Sequence, residues 1–198
     1  MNPYKGHIFE IPLSSRRPLF QRVLVDAVEP KVAQVINHAY DQFFAKCDSL
    51  HQLGHAAREF SHAMSHRLPF VGCESVRDYH ATSQGPDKMK QYLESFYTRT
   101  RSLWELTKSG EMDCVSHILA FLHEHGDKGW RAYHAFDPMD GGRKLRHMVA
   151  SMENFGRRVI IDPTREYVMS HIPAERYHIL DASEFAQLFY PAKIVSNR

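Results

Sequence analysis

The sequence lacks the features that mark several classes of protein. Its 198 residues contain no apolar run of about 18 residues, the length that a transmembrane helix needs. The opening stretch, MNPYKGHIFEIPLSS, lacks the basic-then-apolar order of a signal peptide. Three cysteines, Cys47, Cys73 and Cys114, are too few for a disulfide framework and suit a reducing compartment. These absences predict a cytoplasmic protein without membrane insertion, for which only a leaderless route of export stays open.

The net charge of the chain is also small. The chain carries 25 Lys and Arg against 23 Asp and Glu, a net charge of +2 at pH 7. Its basic residues form no pattern with aromatic side chains of the kind that nucleic-acid binding uses. The sequence therefore predicts no nucleic-acid partner.

The apolar pattern of the first half predicts helices. We interpret the whole chain, 1–198, as a single domain in which residues 1–109 are mainly helical. Residues 1–16 read as an irregular lead-in. The predicted helices cover about 18–45, with Pro30 as a start or kink, 48–67, with Asp48 or Ser49 as the cap, and about 87–108, closed by Gly110.

The second half, residues 110–198, changes its apolar period from 3.6 to 2. A short helix is predicted over 113–125, with Asp113 as its cap and Gly126 at its end. Strands are predicted over 130–136, 145–153 and 156–162, with a further one at 176–180 before a last helix at 183–189. This order of helices followed by an antiparallel meander predicts an α+β fold in which the cysteine helix packs on the sheet.

One hairpin of this sheet would bring a histidine and a carboxylate together. If its loop is the four residues 153–156, His147 pairs with Asp162 in register. Directly paired residues of antiparallel strands have Cβ atoms roughly 4.5–5.5 Å apart, so the two side chains would touch. A carboxylate in that position fixes the imidazole tautomer and stabilises the imidazolium, which makes the histidine an oriented base.

The residue for such a base to activate is Cys114. It follows the capping Asp113 and lies in the first turn of a helix, where free N–H groups and the helix dipole favour a thiolate. Cysteine at a helix start, followed by histidine and aspartate on two adjacent strands, is the arrangement of a thiol nucleophile with its base and orienting acid.

The runs DCVSHILAFLHEHG and HMVASMENFGRRVIIDPT resemble the core of the transglutaminase-like, papain-like superfamily. The resemblance covers about 110–165 and implies a papain/transglutaminase-like core with Cys114 as nucleophile, His147 as base and Asp162 as orienting acid. The spacing of the three residues is also similar to that of bacterial toxin-type glutamine deamidases. The implied activity is cofactor-independent attack on a protein or peptide carboxamide by a cysteine peptidase, glutamine deamidase or transglutaminase-like enzyme.

Several alternatives stay open at this point. The backbone N–H of Cys114 is one oxyanion donor, whereas Trp104 and Gln91 are candidates for the second by residue type only. Cys73, with His80 nearby, is the second-choice nucleophile, and Cys47 is predicted to be a core residue. His117 is predicted to face solvent or the sheet, and His134 to lie near the cleft.

A stripe of histidines supports a different hypothesis. His51, His55, His62 and His66 fall on one face of the predicted second helix, and their spacing suits a divalent metal. The rival interpretation of the chain is therefore a non-enzymatic helical binding module that holds a metal or a partner. Because no second cluster of ligands accompanies the stripe, a solvated polar face is the expected structure and no metal is predicted.

Overall fold

The structure is a computed structural model that describes residues 1–12, 20–69, 99–137, 143–163 and 172–195. Its helices are α1 (Pro30–Phe44), α2 (Leu50–Arg67), α3 (Leu103–Ser109), α4 (Cys114–His125), α5 (Ala174–Tyr177) and α6 (Ala182–Leu188). Its strands are β1 (Ile8–Pro12), β2 (Phe20–Leu24), β3 (Thr100–Ser102), β4 (Arg131–Asp137), β5 (Arg143–Asn154), β6 (Arg157–Ile161), β7 (Ile179–Asp181), β8 (Phe189–Pro191) and β9 (Ile194–Val195). The fold is α+β, as predicted. Among the residues that the structure describes, no helix is long and apolar enough to span a membrane.

The two long helices begin where local chemistry predicts. Pro30 is the first residue of α1, and the carboxylate of Glu29 accepts a hydrogen bond from the Val32 N–H at 3.0 Å. Helix α2 starts after Ser49, whose hydroxyl accepts from the Gln52 N–H in a reciprocal capping box. Both starts are therefore encoded within a few residues of the helix itself.

Three strands of the N-terminal half form, with the last strand β9, a sheet that was not predicted, called the N-terminal sheet below. Its order is β3-β2-β1-β9, with β1 antiparallel to β2 and β9, and β3 parallel to β2. Residues 8–12 are a strand rather than an irregular lead-in, and the predicted helix over 18–45 is wrong over 20–24. Gln21, Val23 and Val25 are buried while Arg22 is exposed, so this stretch has a period of 2. The predicted helix over 87–108 is wrong over 100–102, which form β3, and right over 103–108, which lie in α3; its first part, 87–98, falls outside the described residues.

The C-terminal sheet is the predicted antiparallel meander. Its order is β7-β6-β5-β4-β8, and every neighbouring pair is antiparallel. Helix α4 packs against β4 and β5, and α2 packs against β6. The predicted strand over 176–180 is wrong in its first half, where α5 ends at Tyr177, and right in its second half, where β7 pairs with β6.

The β5–β6 hairpin has a different register from the predicted one. Asn154 pairs with Arg157 and Ala150 with Ile161, so the loop consists of Phe155 and Gly156 alone. Both loop residues have positive φ, 50° and 71°, as a two-residue hairpin turn with a right-handed twist demands. His147 and Asp162 are therefore not paired directly. The shift is two residues, which leaves both on the same face of the hairpin as diagonal neighbours.

Buried side chains cover both faces of the C-terminal sheet. On the helical face, Met148, Ala150 and Val159 join one cluster with residues from both halves of the chain, including Phe9, Ile36, Phe60, Ile118, Phe121 and Trp130. On the opposite face, Val149 and Ile160 pack with Tyr177, Leu180, Phe185 and Phe189. Apolar residues on both faces of β5 and β6 thus keep the strands that carry His147 and Asp162 between two dry layers.

The core includes a histidine that makes the fold sensitive to acid. His125, at the end of α4, is 4% exposed, and its ring stacks on Tyr40 with centroids 3.9 Å apart. Neither ring nitrogen of His125 has a hydrogen-bond partner among the described residues. Burial, together with the charge of Lys128, lowers the pKa of His125 to about 4.

We expect acidification from pH 6.5 to pH 4 to cost about 3 kcal/mol of stability through this residue. The unfolded chain binds a proton there near pH 6.5, whereas the native state does so only near pH 4, so acid favours unfolding. His125→Phe should remove that contribution to the pH dependence in urea unfolding measured across this range. The exposed His51→Phe is the control. An unchanged acid dependence in His125→Phe would contradict this prediction.

Candidate active site

The nucleophile candidate lies at a rigid helix start. Cys114 is the first residue of α4, directly after the N-cap Asp113. The Asp113 carboxylate accepts from the Ser116 N–H at 2.8 Å, and the Ser116 hydroxyl accepts from the Asp113 N–H at 2.7 Å. This reciprocal cap fixes the helix end that carries the thiol. Cys114 is half-buried and therefore within reach of a ligand.

His147 lies between the thiol and the carboxylate. Its Nε2 is 2.9 Å from Oδ2 of Asp162, a buried contact between β5 and the residue that follows β6. The imidazole also forms a hydrogen bond with the Cys114 side chain. Since Nε2 faces the carboxylate, Nδ1 is the nitrogen left for the thiol. The structure therefore brings together all three residues that the sequence analysis selected.

Two further side chains hold Asp162. Its backbone N–H donates to the Ser61 hydroxyl at 3.0 Å, and that hydroxyl donates to the Ala57 carbonyl within α2 at 2.7 Å. The Tyr177 hydroxyl donates to Asp162 Oδ2 at 2.6 Å. All of these groups are buried, with Asp162 itself 1% exposed. The backbone of Asp162 is thus held from α2, and its carboxylate from α5.

The electrostatics of the site favour an imidazolium at His147. Burial alone lowers the pKa of this histidine, but the charge and hydrogen bond of Asp162, with a smaller contribution from Cys114, raise it to about 10. A buried cation is stable here because a hydrogen-bonded anion compensates it. The surroundings of His147 therefore favour its protonated form.

A buried glutamine stands beside the nucleophile. Gln21, on β2, is 5% exposed, and its side-chain Nε2 lies 3.4 Å from Oδ2 of Asp113, the residue before Cys114. That contact is long for a hydrogen bond, so the amide is held only weakly. Gln21 was not predicted as a site residue, because a helical period fits the residues of β2. The run FQRVLV around it does not alternate between apolar and polar residues, so no local signal marks a buried Gln21.

The other residues considered in the sequence analysis have different partners or fall outside the described residues. Cys47 is half-buried, and its thiol donates to the Phe43 carbonyl. His117, expected to face solvent or the sheet, does not face solvent: it is fully buried, with Nε2 2.8 Å from the Pro69 carbonyl oxygen. His134 is buried on β4 and stacks on Tyr190.

Trp104 lies on α3, with the Lys108 ammonium 5.9 Å from its ring centroid. Cys73, His80 and Gln91 fall outside the described residues.

The histidine stripe forms an exposed face of α2. His51, His55, His62 and His66 are all exposed, and His62 and His66 face each other with their Nε2 atoms 3.0 Å apart. His55 instead contacts Arg58 and Glu59. Within the described ranges, no group of three or more His, Cys, Asp or Glu residues could hold a metal ion. The stripe has the solvated arrangement that the sequence analysis expected.

Comparison of the chain with protein-family models, with curated proteins and with solved structures found no match. A thiol at a helix N-terminus, linked to an imidazole that is linked to a buried carboxylate, can supply a nucleophile and carry its proton.

Proposed function

We propose that this protein is a thiol-dependent acyl-transfer enzyme that attacks a carboxamide or peptide carbonyl. The observation that carries the proposal is the continuous contact from Cys114 through His147 to Asp162, with Nε2 and Oδ2 2.9 Å apart. A buried ion pair is expensive to desolvate, so a structural role explains its position poorly. Its placement against a half-buried thiol at a helix start fits the needs of a nucleophile.

The proposed reaction proceeds through a thioester. His147 holds the proton taken from the Cys114 thiol, and the thiolate forms a bond to the carbonyl carbon. The imidazolium then gives its proton to the nitrogen as the C–N bond breaks, and ammonia or an amine leaves. Water or a second amine attacks the thioester and returns the thiol. Hydrolysis, deamidation and transamidation share these steps until the acceptor arrives, and none of them requires a metal or an organic cofactor.

Two donors are available for the developing oxyanion. The N–H of Cys114 is at the first position of α4, where a helix offers no acceptor of its own. We assign the second donor to the side-chain amide of Gln21, because it is buried beside Asp113 and its present contact is long. Donors that already lie at a buried site stabilise the charge that develops in a tetrahedral intermediate.

The assignment predicts a loss of kcat in Gln21→Leu. Removing one oxyanion donor costs roughly 10²–10³-fold in kcat, with little change in KM, because the interaction forms in the transition state. Gln52→Leu, at the exposed cap of α2, is the control. Steady-state kinetics on a carboxamide peptide would separate kcat from KM. A Gln21→Leu variant with an unchanged kcat would exclude Gln21 as the donor.

The substrate class that we propose is a protein or peptide, as the resemblance to the transglutaminase-like, papain-like superfamily implies. Under this proposal, the N-terminal helices and sheet recognise the substrate and, through Gln21, supply one oxyanion donor, whereas the half from α4 onward carries Cys114, His147 and Asp162. A variant lacking residues 1–85 that folds and keeps full activity would contradict this division of roles.

Alkylation of the thiols tests the proposal before any substrate is known. We expect iodoacetamide to label Cys114 rapidly below pH 7, with the modified residue identified by mass spectrometry. Cys47 is an internal control, because burial and the nearby charge of Asp48 raise the pKa of its thiol. Slow labelling of Cys114 in the folded protein, at a rate that rises only near pH 8.5, would refute the activated nucleophile.

Substrate assays then distinguish hydrolysis, deamidation and transamidation, the reactions that can follow formation of the thioester. Glutamine-containing peptides would be incubated with the protein, and ammonia release, amine incorporation and backbone cleavage would be measured separately. Cys114→Ala is the negative control for each measurement. Turnover of any kind in that variant would show that Cys114 is not the nucleophile.

A further inference from the structure

Asp162 receives two hydrogen bonds on a single oxygen. Oδ2 lies 2.9 Å from His147 Nε2 and 2.6 Å from the Tyr177 hydroxyl. An O–H···O contact of about 2.6 Å falls in the range of charge-assisted hydrogen bonds, which form to an ionised carboxylate. Tyr177 is fully buried, so no water competes for its proton.

The fold fixes the Tyr177 hydroxyl independently of the triad. Tyr177 ends α5, its N–H donates to the Pro173 carbonyl at 3.1 Å, and its ring belongs to the apolar cluster below the sheet. The next residue, His178, extends the β6–β7 ladder: its carbonyl accepts from the Ile160 N–H at 3.1 Å, and its Nδ1 lies 2.7 Å from the Ile160 carbonyl oxygen. This extension holds Tyr177 beside the end of β6, where Asp162 follows.

We propose that Tyr177 is a positioning residue of the site, whose hydroxyl aims Oδ2 of Asp162 at His147 and keeps the carboxylate ionised. The second donor stabilises the anionic form, because hydrogen bonds to a carboxylate favour its charged state. The Tyr177 hydroxyl also restricts rotation of the carboxylate relative to the Asp162 backbone, which Ser61 holds from the other side. The ring of His147 thereby keeps Nε2 on the carboxylate and Nδ1 toward the thiol. Any effect of Tyr177 on turnover rests on the proposed function, whereas its effect on the orientation of Asp162 and His147 does not.

The consequence can be measured without a substrate. In Tyr177→Phe, Asp162 loses a donor but its surroundings keep an aromatic ring. We expect the ring N–H resonance of His147, assigned by nitrogen-15 NMR, to move or to disappear through exchange with water. We also expect the rate of Cys114 alkylation at pH 6 to fall about ten-fold or more, the effect of losing a hydrogen bond to a charged group.

Tyr133→Phe is the matched control. Tyr133 packs against the same apolar cluster, and its hydroxyl accepts a hydrogen bond from Arg158 at 3.1 Å instead of contacting Asp162. If Tyr177 had only a structural role, Tyr177→Phe would behave like Tyr133→Phe: its melting temperature would fall, and the His147 resonance would stay in place. An unchanged resonance and an unchanged alkylation rate in folded Tyr177→Phe would overturn the proposal.

A second replacement covers the case in which Tyr177→Phe does not fold. Placing 3-fluorotyrosine at position 177 keeps the shape of the side chain and makes its hydroxyl a stronger donor. The His147 resonance should then shift, and an unshifted resonance would refute the role of Tyr177. Because the NMR measurement is independent of turnover, it also separates this inference from the proposed function. A protein without activity whose His147 resonance still depends on Tyr177 would refute the proposed enzymatic function and support the positioning role of Tyr177.

Discussion

Replacing His147 by alanine should lower turnover by at least about 10⁴-fold and should reduce alkylation of Cys114 at pH 6 to the rate of Cys47. Loss of one member of a nucleophile–base–acid unit removes most of the effect of the whole unit, so the expected loss is large. His147 contacts both Cys114 and Asp162, and its removal leaves the thiol without a proton acceptor and the buried carboxylate without a counter-charge. Both measurements should therefore change in the same variant.

His134→Phe is the control for this experiment. His134 is a buried histidine on the neighbouring strand β4, and its ring stacks on Tyr190 with centroids 5.1 Å apart, an arrangement that phenylalanine can keep. We expect this variant to retain the alkylation rate of the wild type. If His147→Ala alkylates at pH 6 as fast as the wild type, the imidazole does not activate the thiol and the proposed function fails.

The elements that could be predicted from sequence are those whose signals are local. The α4 helix start depends on Asp113 and Ser116, three residues apart, and both ends of the helix lie where the sequence analysis placed them. The α1 start depends in the same way on Glu29 and Pro30. Such caps can be recognised in sequence because one turn of chain satisfies its own N–H groups.

The N-terminal sheet could not be predicted in this way. Strand β2 has five residues, and its apolar positions merge with those of the helix that follows, so a helical period fits the whole stretch by chance. Its partners are β1, β3 and, through β1, the distant β9. Pairing over such distances has no local signature, and tertiary contacts override the local preference.

The histidine–aspartate pair was predicted through a register that is wrong by two residues. The actual turn places Phe155 at a φ of 50°, a conformation that hairpin preferences assign to Asn or Gly. The prediction of contact survives because a shift of two residues keeps the side chains on one face. Ser61 and Tyr177 were missed for another reason: Ser61 lies on α2, 101 positions from Asp162, and neither residue belongs to a motif with it.

Asp162→Asn should have the second large effect, with a kcat lowered by roughly 10³–10⁴-fold. Asparagine offers one oxygen where two donors now converge, and its amide can donate to Nε2 of His147. The imidazole would then carry its proton on Nδ1, toward Cys114, and could not accept another from the thiol. The loss arises from the wrong tautomer and from an unsupported imidazolium, so kcat should fall while substrate binding changes little.

The same substitution should alter how stability depends on pH. Asp162 and Cys114 raise the pKa of His147 to about 10 in the native state, whereas an unfolded histidine titrates near pH 6.5. The stabilisation is therefore complete below pH 6.5 and is lost as the pH rises toward 10, because the native state holds the extra proton in that window. Urea unfolding between pH 6.5 and 10 should show this decline in the wild type and a flatter profile in Asp162→Asn. Equal slopes in the two proteins would mean that Asp162 does not hold the His147 proton, and the ion pair proposed as the centre of the site would have to be abandoned.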